Sequence, residues 1–175
     1  MKEIFEEALK GKAFEWAVVP TRDITFSRDL LKICESNKCG RYNKYWTCPP
    51  AVDSFEKQKE NILAFSSAFV FTTKWDLEDS FDYEGMVKAG DKHRLLTAEM
   101  QYKFGKANPV YGTGGCKECE TCAYPDPCKF PEKVYHSISA AGINVSELSK
   151  ACGIRYNNGP NTTTYFSFIL FNSEL

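Results

Sequence analysis

The sequence predicts an α/β or α+β fold, in which a small mixed sheet with flanking helices carries two cysteine-rich metal-binding loops. Three observations support this prediction. Segments rich in β-branched and aromatic residues alternate with segments of helical periodicity. The length of 175 residues suits one domain, so we expect a single cysteine-rich domain over residues 1–175. All but one of the eight cysteines fall in two short groups, on or beside loops between the predicted elements.

The N-terminal third predicts one strand and two helices. Residues 13–26, AFEWAVVPTRDITF, are typical of a strand that is broken at Pro20. Ser27 then stands where it can cap the short helix RDLLKICES, whose apolar residues share one face. Asp53 and Glu56 have the spacing of a capping box, which predicts that a second helix begins there.

The middle of the chain predicts a buried strand followed by a long helix. Residues 67–73, SAFVFTT, are apolar on both faces, as in a central strand that is covered on both sides. A longer helix is expected over residues 83–106, with an apolar stripe along one side. After the second group of cysteines, Pro131 suits the first position of a helix that ends before Gly142.

The C-terminal part predicts a short helix and a strong strand. Asn144 or Ser146 can begin the helix, and Gly153 can end it. Residues 161–171, NTTTYFSFILF, are β-branched and aromatic, which favours a strand. Helices and strands are thus predicted to alternate along the chain, but this alternation does not predict the order of the strands in the sheet.

Charge and hydropathy limit the classes of partner and compartment. Lys and Arg number 22 against 23 Asp and Glu, which gives no general case for a nucleic-acid partner. The N-terminus MKEIFEEALKGKAFEW lacks the apolar region of a signal peptide, and no apolar run is long enough to span a membrane. We therefore expect a cytoplasmic protein without a membrane partner. The cytosol keeps thiols reduced, which disfavours a disulfide framework and leaves metal binding as the better interpretation.

The first cysteine group has the pattern C-x4-C-x8-C-P-P and consists of Cys34, Cys39 and Cys48. Three cysteines are one fewer than a cluster or a structural zinc ion usually takes. A fourth ligand could come from elsewhere, such as Cys128 or Cys152. Alternatively one iron is left open, and an open iron is a Lewis acid that can bind a substrate.

The second cysteine group has the pattern C-x2-C-x2-C-x5-C and consists of Cys116, Cys119, Cys122 and Cys128. Its two three-residue steps match the beginning of the bacterial ferredoxin pattern, in which a loop wraps around a 4Fe–4S cluster. The following gap departs from that pattern, so the fourth ligand cannot be assigned from it. Cys48 precedes a proline as the last ferredoxin cysteine does, which makes it a candidate for exchange between the groups.

These spacings favour one or two 4Fe–4S clusters over zinc, because zinc ligands usually come as two separated pairs. The function expected first is electron transfer with a redox partner protein. A structural zinc module for interaction or regulation is the alternative, and an enzyme that uses an open cluster iron is the third hypothesis. The glycines before the second group, in YGTGG, are expected to let the backbone come close to the metal.

Residues outside the two groups carry weaker signals. Cys152 precedes a helix-ending glycine and is predicted to be a small packing residue. His93 lies in the charged stretch GDKHR and is predicted to be solvated, and His136 is expected to lie partly buried on the helix after the cysteine loop. No hydrolase, Walker or dinucleotide-binding motif occurs, so the catalytic residues of any reaction stay unknown.

Several stretches are specific enough to compare with a known family: the C-x4-C-x8-C-P-P pattern, CAYPDPCKFPEK, S-x-x-A-x-G-I-N-V and the terminal NTTTYF. Together they resemble a family of small prokaryotic proteins that are predicted to bind metal, over most of the chain from about Val19 to Phe171. The resemblance implies metal on the cysteines that match it, and Cys152 is the weakest match. The matching cysteines are Cys34, Cys39, Cys48, Cys116, Cys119, Cys122 and Cys128.

Overall fold

A five-stranded mixed sheet organises the chain in the computed structural model, which describes residues 1–172. Helices flank the sheet, so the predicted α+β class with a mixed sheet is confirmed. The α-helices are α1 (Lys2–Leu9), α2 (Asp29–Glu35), α3 (Phe55–Leu63), α4 (Tyr83–Phe104) and α5 (Val145–Cys152). The strands are β1 (Glu15–Pro20), β2 (Ser67–Asp76), β3 (Val110–Gly112), β4 (His136–Ser137) and β5 (Thr162–Phe171).

The order of the strands is β1-β2-β5-β3-β4. The three pairs from β1 to β3 are antiparallel, whereas β3 and β4 are parallel. Parallel neighbours need a crossover connection, which in most proteins is a helix. Here the crossover is the loop 113–135, which contains the second cysteine group and only a short 3₁₀ turn. The topology therefore attaches this cysteine loop to the sheet at both of its ends.

Both faces of the sheet are buried, which confirms the prediction for the central strand. In β2, Val70 joins the cluster that includes Ile62 of α3, while Phe71 joins the cluster that includes Phe5 of α1. Side chains of a strand point alternately to opposite faces, so a strand that is apolar at every position requires a helix layer on each side. Each fully buried Phe contributes about 1.5–3 kcal/mol by leaving water.

The helix ends follow local sequence signals to within one position. Asn144 caps α5 by accepting a hydrogen bond from the Ser146 amide at 2.8 Å, and Gly153 ends it in the left-handed conformation. Both predictions are confirmed. The capping box predicted at Asp53 is wrong by one residue, because the hydroxyl of Ser54 accepts the amide of Lys57. None of the described helices combines the length and apolarity that a membrane crossing requires.

The helix predicted to begin at Pro131 does not form. Pro131–Lys133 is a single 3₁₀ turn, and the chain then enters β4. His136 and Ser137 pair with residues of β3, and the Ile138 amide continues this pairing by donating to Gly112 at 3.0 Å. Sheet pairing with a distant segment has therefore overridden the local helix signal. His136 accordingly lies on a strand rather than on a helix.

The prediction that His93 is solvated is wrong. His93 is fully buried on α4, on the sheet-facing side that it shares with Thr97 one turn later. Its Nδ1 lies 2.8 Å from Thr73 Oγ1, and its Nε2 lies 2.9 Å from Ser167 Oγ. Burial lowers the pKa of His93 to about 4, so the ring is neutral and joins α4 to two strands by hydrogen bonds.

Candidate functional site

The two cysteine groups line two separate cavities. We call these the three-cysteine cavity, lined by Cys34, Cys39 and Cys48, and the four-cysteine cavity, lined by Cys116, Cys119, Cys122 and Cys128. All eight cysteines of the chain are free thiols. Each cavity contains the cysteines of its own group alone, so the exchange of Cys48 or Cys128 between the groups is absent from this arrangement. The structure thus brings every predicted ligand into one of two places.

The three-cysteine cavity is the more spacious and polar of the two. Its volume is about 230 Å³. Cys34 comes from the last turn of α2, and Cys39 and Cys48 come from the loop that follows, with Cys39 exposed and Cys48 buried. The rest of the lining is formed by polar side chains, small residues and a proline: Arg41, Tyr42, Pro49, Arg94, Gly114, Gly115, Ser137, Ser139 and Ala140.

The four-cysteine cavity is narrow and mostly apolar. Its volume is about 20 Å³, which is room for about one water molecule. The loop 113–135 supplies its four cysteines. Its other lining residues are largely aromatic or aliphatic: Tyr45, Trp46, Thr47, Glu118, Ala123, Lys129, Phe130 and Val134. A dry lining of this kind excludes water from whatever the thiols hold.

Hydrogen bonds tie together the two loops that carry the cysteines. The indole of Trp46 donates to the backbone oxygen of Asp126 at 3.0 Å, and the hydroxyl of Tyr124 lies 3.1 Å from Asn43 Oδ1. The rings of Trp46 and Tyr124 also meet edge to face, with 5.0 Å between their centroids. The loop that carries Cys39 and Cys48 therefore packs against the loop 113–135, and its Trp46 lines the four-cysteine cavity.

Thr47 lies between the two cavities. Its hydroxyl accepts a hydrogen bond from the Cys116 amide at 3.2 Å and lies 4.0 Å from Cys48 Sγ. Tyr135 supports the same junction from the core, because its hydroxyl donates to the Gly115 carbonyl at 2.9 Å. Burial raises the pKa of Tyr135, so its hydroxyl remains a donor. The last cysteine of one group and the first of the other are thus held by a shared threonine.

Gly115 allows this close approach of the two loops. A Cβ at Gly115 would lie 2.9 Å from Thr47 Oγ1 and 3.1 Å from an Arg41 guanidinium nitrogen. Gly114 has a positive φ of 77°, which side chains rarely adopt. The backbone at these positions therefore passes between the two cavities with no room for a side chain at Gly115.

Burial raises the thiol pKa of three of the seven cysteines that line the two cavities. The pKa of Cys48 rises to about 11, and those of Cys34 and Cys116 rise in the same direction. Such thiols are protonated and unreactive near neutral pH in the absence of a metal. A bound metal ion reverses this preference because it binds the thiolate, so metal binding here would release protons.

Two arginines face the three-cysteine cavity. Arg41 comes from the loop between its cysteines, and its Nη1 donates to the Cys116 carbonyl at 3.4 Å. Arg94 comes from α4, next to the buried His93, and pairs with Asp91. Sequence reasoning missed Arg94 and Thr47. Arg94 lies far from any cysteine in the sequence, so no local pattern could have found it.

The spacing of the donor atoms limits how they could hold a metal. Across residues 1–172, no three His, Cys, Asp or Glu side chains are arranged to hold one metal ion. A single zinc ion needs its ligands at about 2.0–2.3 Å. A cluster binds each thiolate through a different iron, so its ligands stand farther apart around one space. Four thiols around one cavity have that general arrangement, although the four-cysteine cavity would have to widen as a cluster entered.

Cys152 lies apart from both cavities, at the end of α5. It packs against the core cluster on one face of the sheet, and its thiol lies 3.6 Å from the Ser149 carbonyl. Burial raises the pKa of this thiol. The prediction that Cys152 is a packing residue is confirmed, and a role as fourth ligand for the three-cysteine cavity has no support in its position.

A family model described as predicted metal-binding protein (DUF2284) matches residues 17–171. The chain belongs to this family. The match confirms the resemblance seen in the cysteine patterns, and it covers both cavities of this DUF2284 member and the sheet that carries them. The description of the family names neither the metal nor a reaction. Comparisons with curated proteins and with solved structures give no match.

Proposed function

We propose that this metal-binding protein holds iron–sulfur clusters of the 4Fe–4S type and transfers electrons to or from a redox partner protein. The observation that carries the proposal is the gathering of seven cysteines into two adjoining cavities, four in one and three in the other. Thiolates are the ligands that iron–sulfur clusters take.

The four-cysteine cavity is the stronger site for a cluster. Its first three cysteines follow one another at the spacing with which a ferredoxin loop wraps around a cluster. Its aromatic lining would limit contact with water, which is one of the factors that set a cluster's reduction potential. When bound, a cluster would supply one-electron chemistry; the protein supplies the thiolates, the dry lining and the backbone amides around them.

The junction at Thr47 supports electron transfer as the role. Cys48 and Cys116, which belong to different cavities, both lie against the hydroxyl of this one residue. Adjoining redox sites can pass electrons between them without a mobile carrier. Cys39 of the three-cysteine cavity is exposed, so this end of the pair is accessible to a partner protein.

A structural zinc ion in the four-cysteine cavity is a second candidate. The small volume of this cavity, about 20 Å³, favours it, because one ion needs less space than a cluster of several atoms. Four thiolates complete the coordination of structural zinc, and the metal would then staple the loop 113–135 without redox chemistry. The protein would in that case act as an interaction or regulatory module.

Preparation of the protein without oxygen tests the two candidates directly. Iron, sulfide and zinc are measured per chain, together with the visible absorption spectrum before and after reduction with dithionite. We expect about eight irons and eight sulfides for two clusters, or about four of each for one, and a brown colour that bleaches on reduction. A colourless protein with stoichiometric zinc would contradict the iron–sulfur proposal. Exclusion of air matters, because zinc can occupy thiolates that have lost a cluster.

A further inference from the structure

We infer that the three-cysteine cavity binds a small oxyanion, a carboxylate or a phosphate, through Arg41 and Arg94. The inference rests on the proposed function in one respect, since it adds a ligand to a cavity that is also proposed to hold metal. It explains three properties of this cavity that its cysteines leave unexplained: an excess of positive charge, an unpaired buried donor, and space.

The distribution of charge between the two cavities is opposite to what neutralisation of thiolates would require. The cavity with four cysteines has one lysine in its lining, Lys129, and one acid, Glu118. The cavity with three cysteines has two arginines and no acid in its lining. If the cations served only to balance thiolate charge, the cavity with more thiolates would have more of them. The surplus positive charge therefore points to a further anion in the three-cysteine cavity.

Arg94 has a donor without an acceptor. Its side chain is 13% exposed, and its Nη2 is paired with Asp91. Its Nε is buried and has no hydrogen-bond partner within residues 1–172. An unpaired buried donor on a charged group is costly, so the guanidinium of Arg94, which lines the cavity, has hydrogen-bonding capacity that its protein partners leave unused. Asp91 is shared with Lys117 at 3.6 Å and so leaves net positive charge here.

Arg41 is held in place for the same purpose. Its guanidinium lies 4.7 Å from the centroid of the Tyr45 ring, and the one hydrogen bond that it makes within residues 1–172, to the Cys116 carbonyl, is long at 3.4 Å. Stacking on a ring fixes the plane of a guanidinium while leaving its edge free. A planar fork of N–H donors suits the oxygens of carboxylates and phosphates, which it binds in pairs.

The space and polarity of the cavity agree with a small polar ligand. The cavity has a volume of about 230 Å³, and its lining includes the hydroxyls of Ser137 and Ser139, which lie 3.2 Å apart. Sites that keep three protein ligands on a metal commonly use the open position for water or substrate, whereas sites with four are closed. The two cavities differ in this same way.

The test titrates the loaded full-length protein with inorganic phosphate and, separately, with succinate, in a Tris chloride buffer free of oxyanions. Isothermal calorimetry measures the affinity. We expect saturable binding of at least one anion, weakened about ten- to a hundredfold by Arg94→Gln and by Arg41→Gln. Arg41→Lys, which keeps the charge but loses the fork, should fall between these and the wild type. Arg22→Gln changes an exposed arginine outside both cavities and should bind as the wild type does.

The two anions distinguish a phosphorylated substrate class from a carboxylate one, and binding of either supports the inference. It is overturned if neither anion saturates the wild type, or if both glutamine variants bind as tightly as Arg22→Gln. Circular dichroism shows whether each variant is folded. If Arg94→Gln does not fold, Arg41→Gln still provides the test. Iron is measured on the same samples. A protein without iron that still binds the anion through the arginines would contradict the iron–sulfur proposal alone. A protein with iron that binds neither anion would contradict the anion site alone.

Discussion

The three-cysteine and four-cysteine cavities adjoin at Thr47, yet they are built from different parts of the chain. The four-cysteine cavity takes all its cysteines from one loop, 113–135, and has a narrow apolar interior. The three-cysteine cavity takes residues from α2, the loop after it, α4, the start of the loop 113–135, β4 and the segment after β4, and it is wider and contains two arginines. A site whose cysteines all come from one loop can close around its metal. A site assembled from several elements also has lining residues that are not metal ligands, and these residues can bind a second ligand such as an oxyanion.

Independence of the two cavities predicts the largest effect. Cys119→Ala should remove the metal of the four-cysteine cavity and leave that of the other, so that about half of the wild-type iron remains; Cys39→Ala should do the converse. Iron and sulfide analysis measures this, with Cys152→Ala as a matched control because it replaces a half-buried cysteine outside both cavities. Loss of all iron from either single variant would indicate one shared site and would end the comparison.

Metal removal should affect the four-cysteine loop more than the rest of the molecule. Between β3 and β4 this loop contains only one 3₁₀ turn, so metal–thiolate bonds would add restraint to the hydrogen bonds that tie it to the loop carrying Cys39 and Cys48. After anaerobic chelation we expect amide exchange in residues 113–135 to accelerate about tenfold or more, while β2 and β5 stay protected. Hydrogen exchange with mass spectrometry measures this. Equal protection of the loop with and without metal would show that the protein alone holds it closed.

Acid should weaken the packing of α4, which places Arg94 in the three-cysteine cavity. His93 has a folded-state pKa of about 4 against about 6.5 when unfolded, so only the unfolded chain gains a proton between these values. The contribution of His93 to the free energy of unfolding should therefore be constant above pH 6.5 and fall by about 3 kcal/mol from pH 6.5 to 4. Urea unfolding at a series of pH values measures this.

The chain has two histidines, which makes the control for the acid effect simple. His93→Gln should remove most of the slope between pH 6.5 and 4. Burial also lowers the pKa of His136, but this residue is exposed at one side and stacked on Tyr111, so His136→Gln should keep most of the slope. An unchanged slope in His93→Gln would show that other groups carry the acid sensitivity.

The junction between the cavities predicts the smallest effect. Thr47→Val keeps the shape of the side chain but leaves the Cys116 amide without its acceptor, which should lower the free energy of unfolding by about 1–3 kcal/mol. Urea unfolding of the metal-free protein measures it. Thr121→Val, in an exposed part of the same loop, should change it by less than about 0.5 kcal/mol. Equal free energies of unfolding for the two variants would show that the Thr47 hydroxyl does not stabilise the junction between the cavities.

Elements with a strong local pattern were predicted well. The buried strand at 67–73, the long helix from Tyr83 and the strand at 161–171 all appear, because burial on two faces and helical periodicity leave direct marks on the sequence. The helix predicted from Pro131 does not form, because β4 pairs with β3. This partner lies more than twenty residues earlier in the chain, so the local sequence does not indicate the pairing. The prediction that His93 is solvated was wrong because its charged sequence neighbours lie on the outer faces of α4, whereas His93 faces the sheet.

The sequence by itself determined which cysteines act together, because loop cysteines a few residues apart remain close however the chain folds. It also determined the family, through motifs that are local. Only the tertiary structure decided that the groups form two adjoining cavities, and that Arg94 of α4 meets Arg41 in one of them. Between these residues the chain forms α3, β2 and the first half of α4, so their presence in one cavity depends on how α4 packs on the sheet. The difference between a closed site and an open one therefore lies in long-range packing.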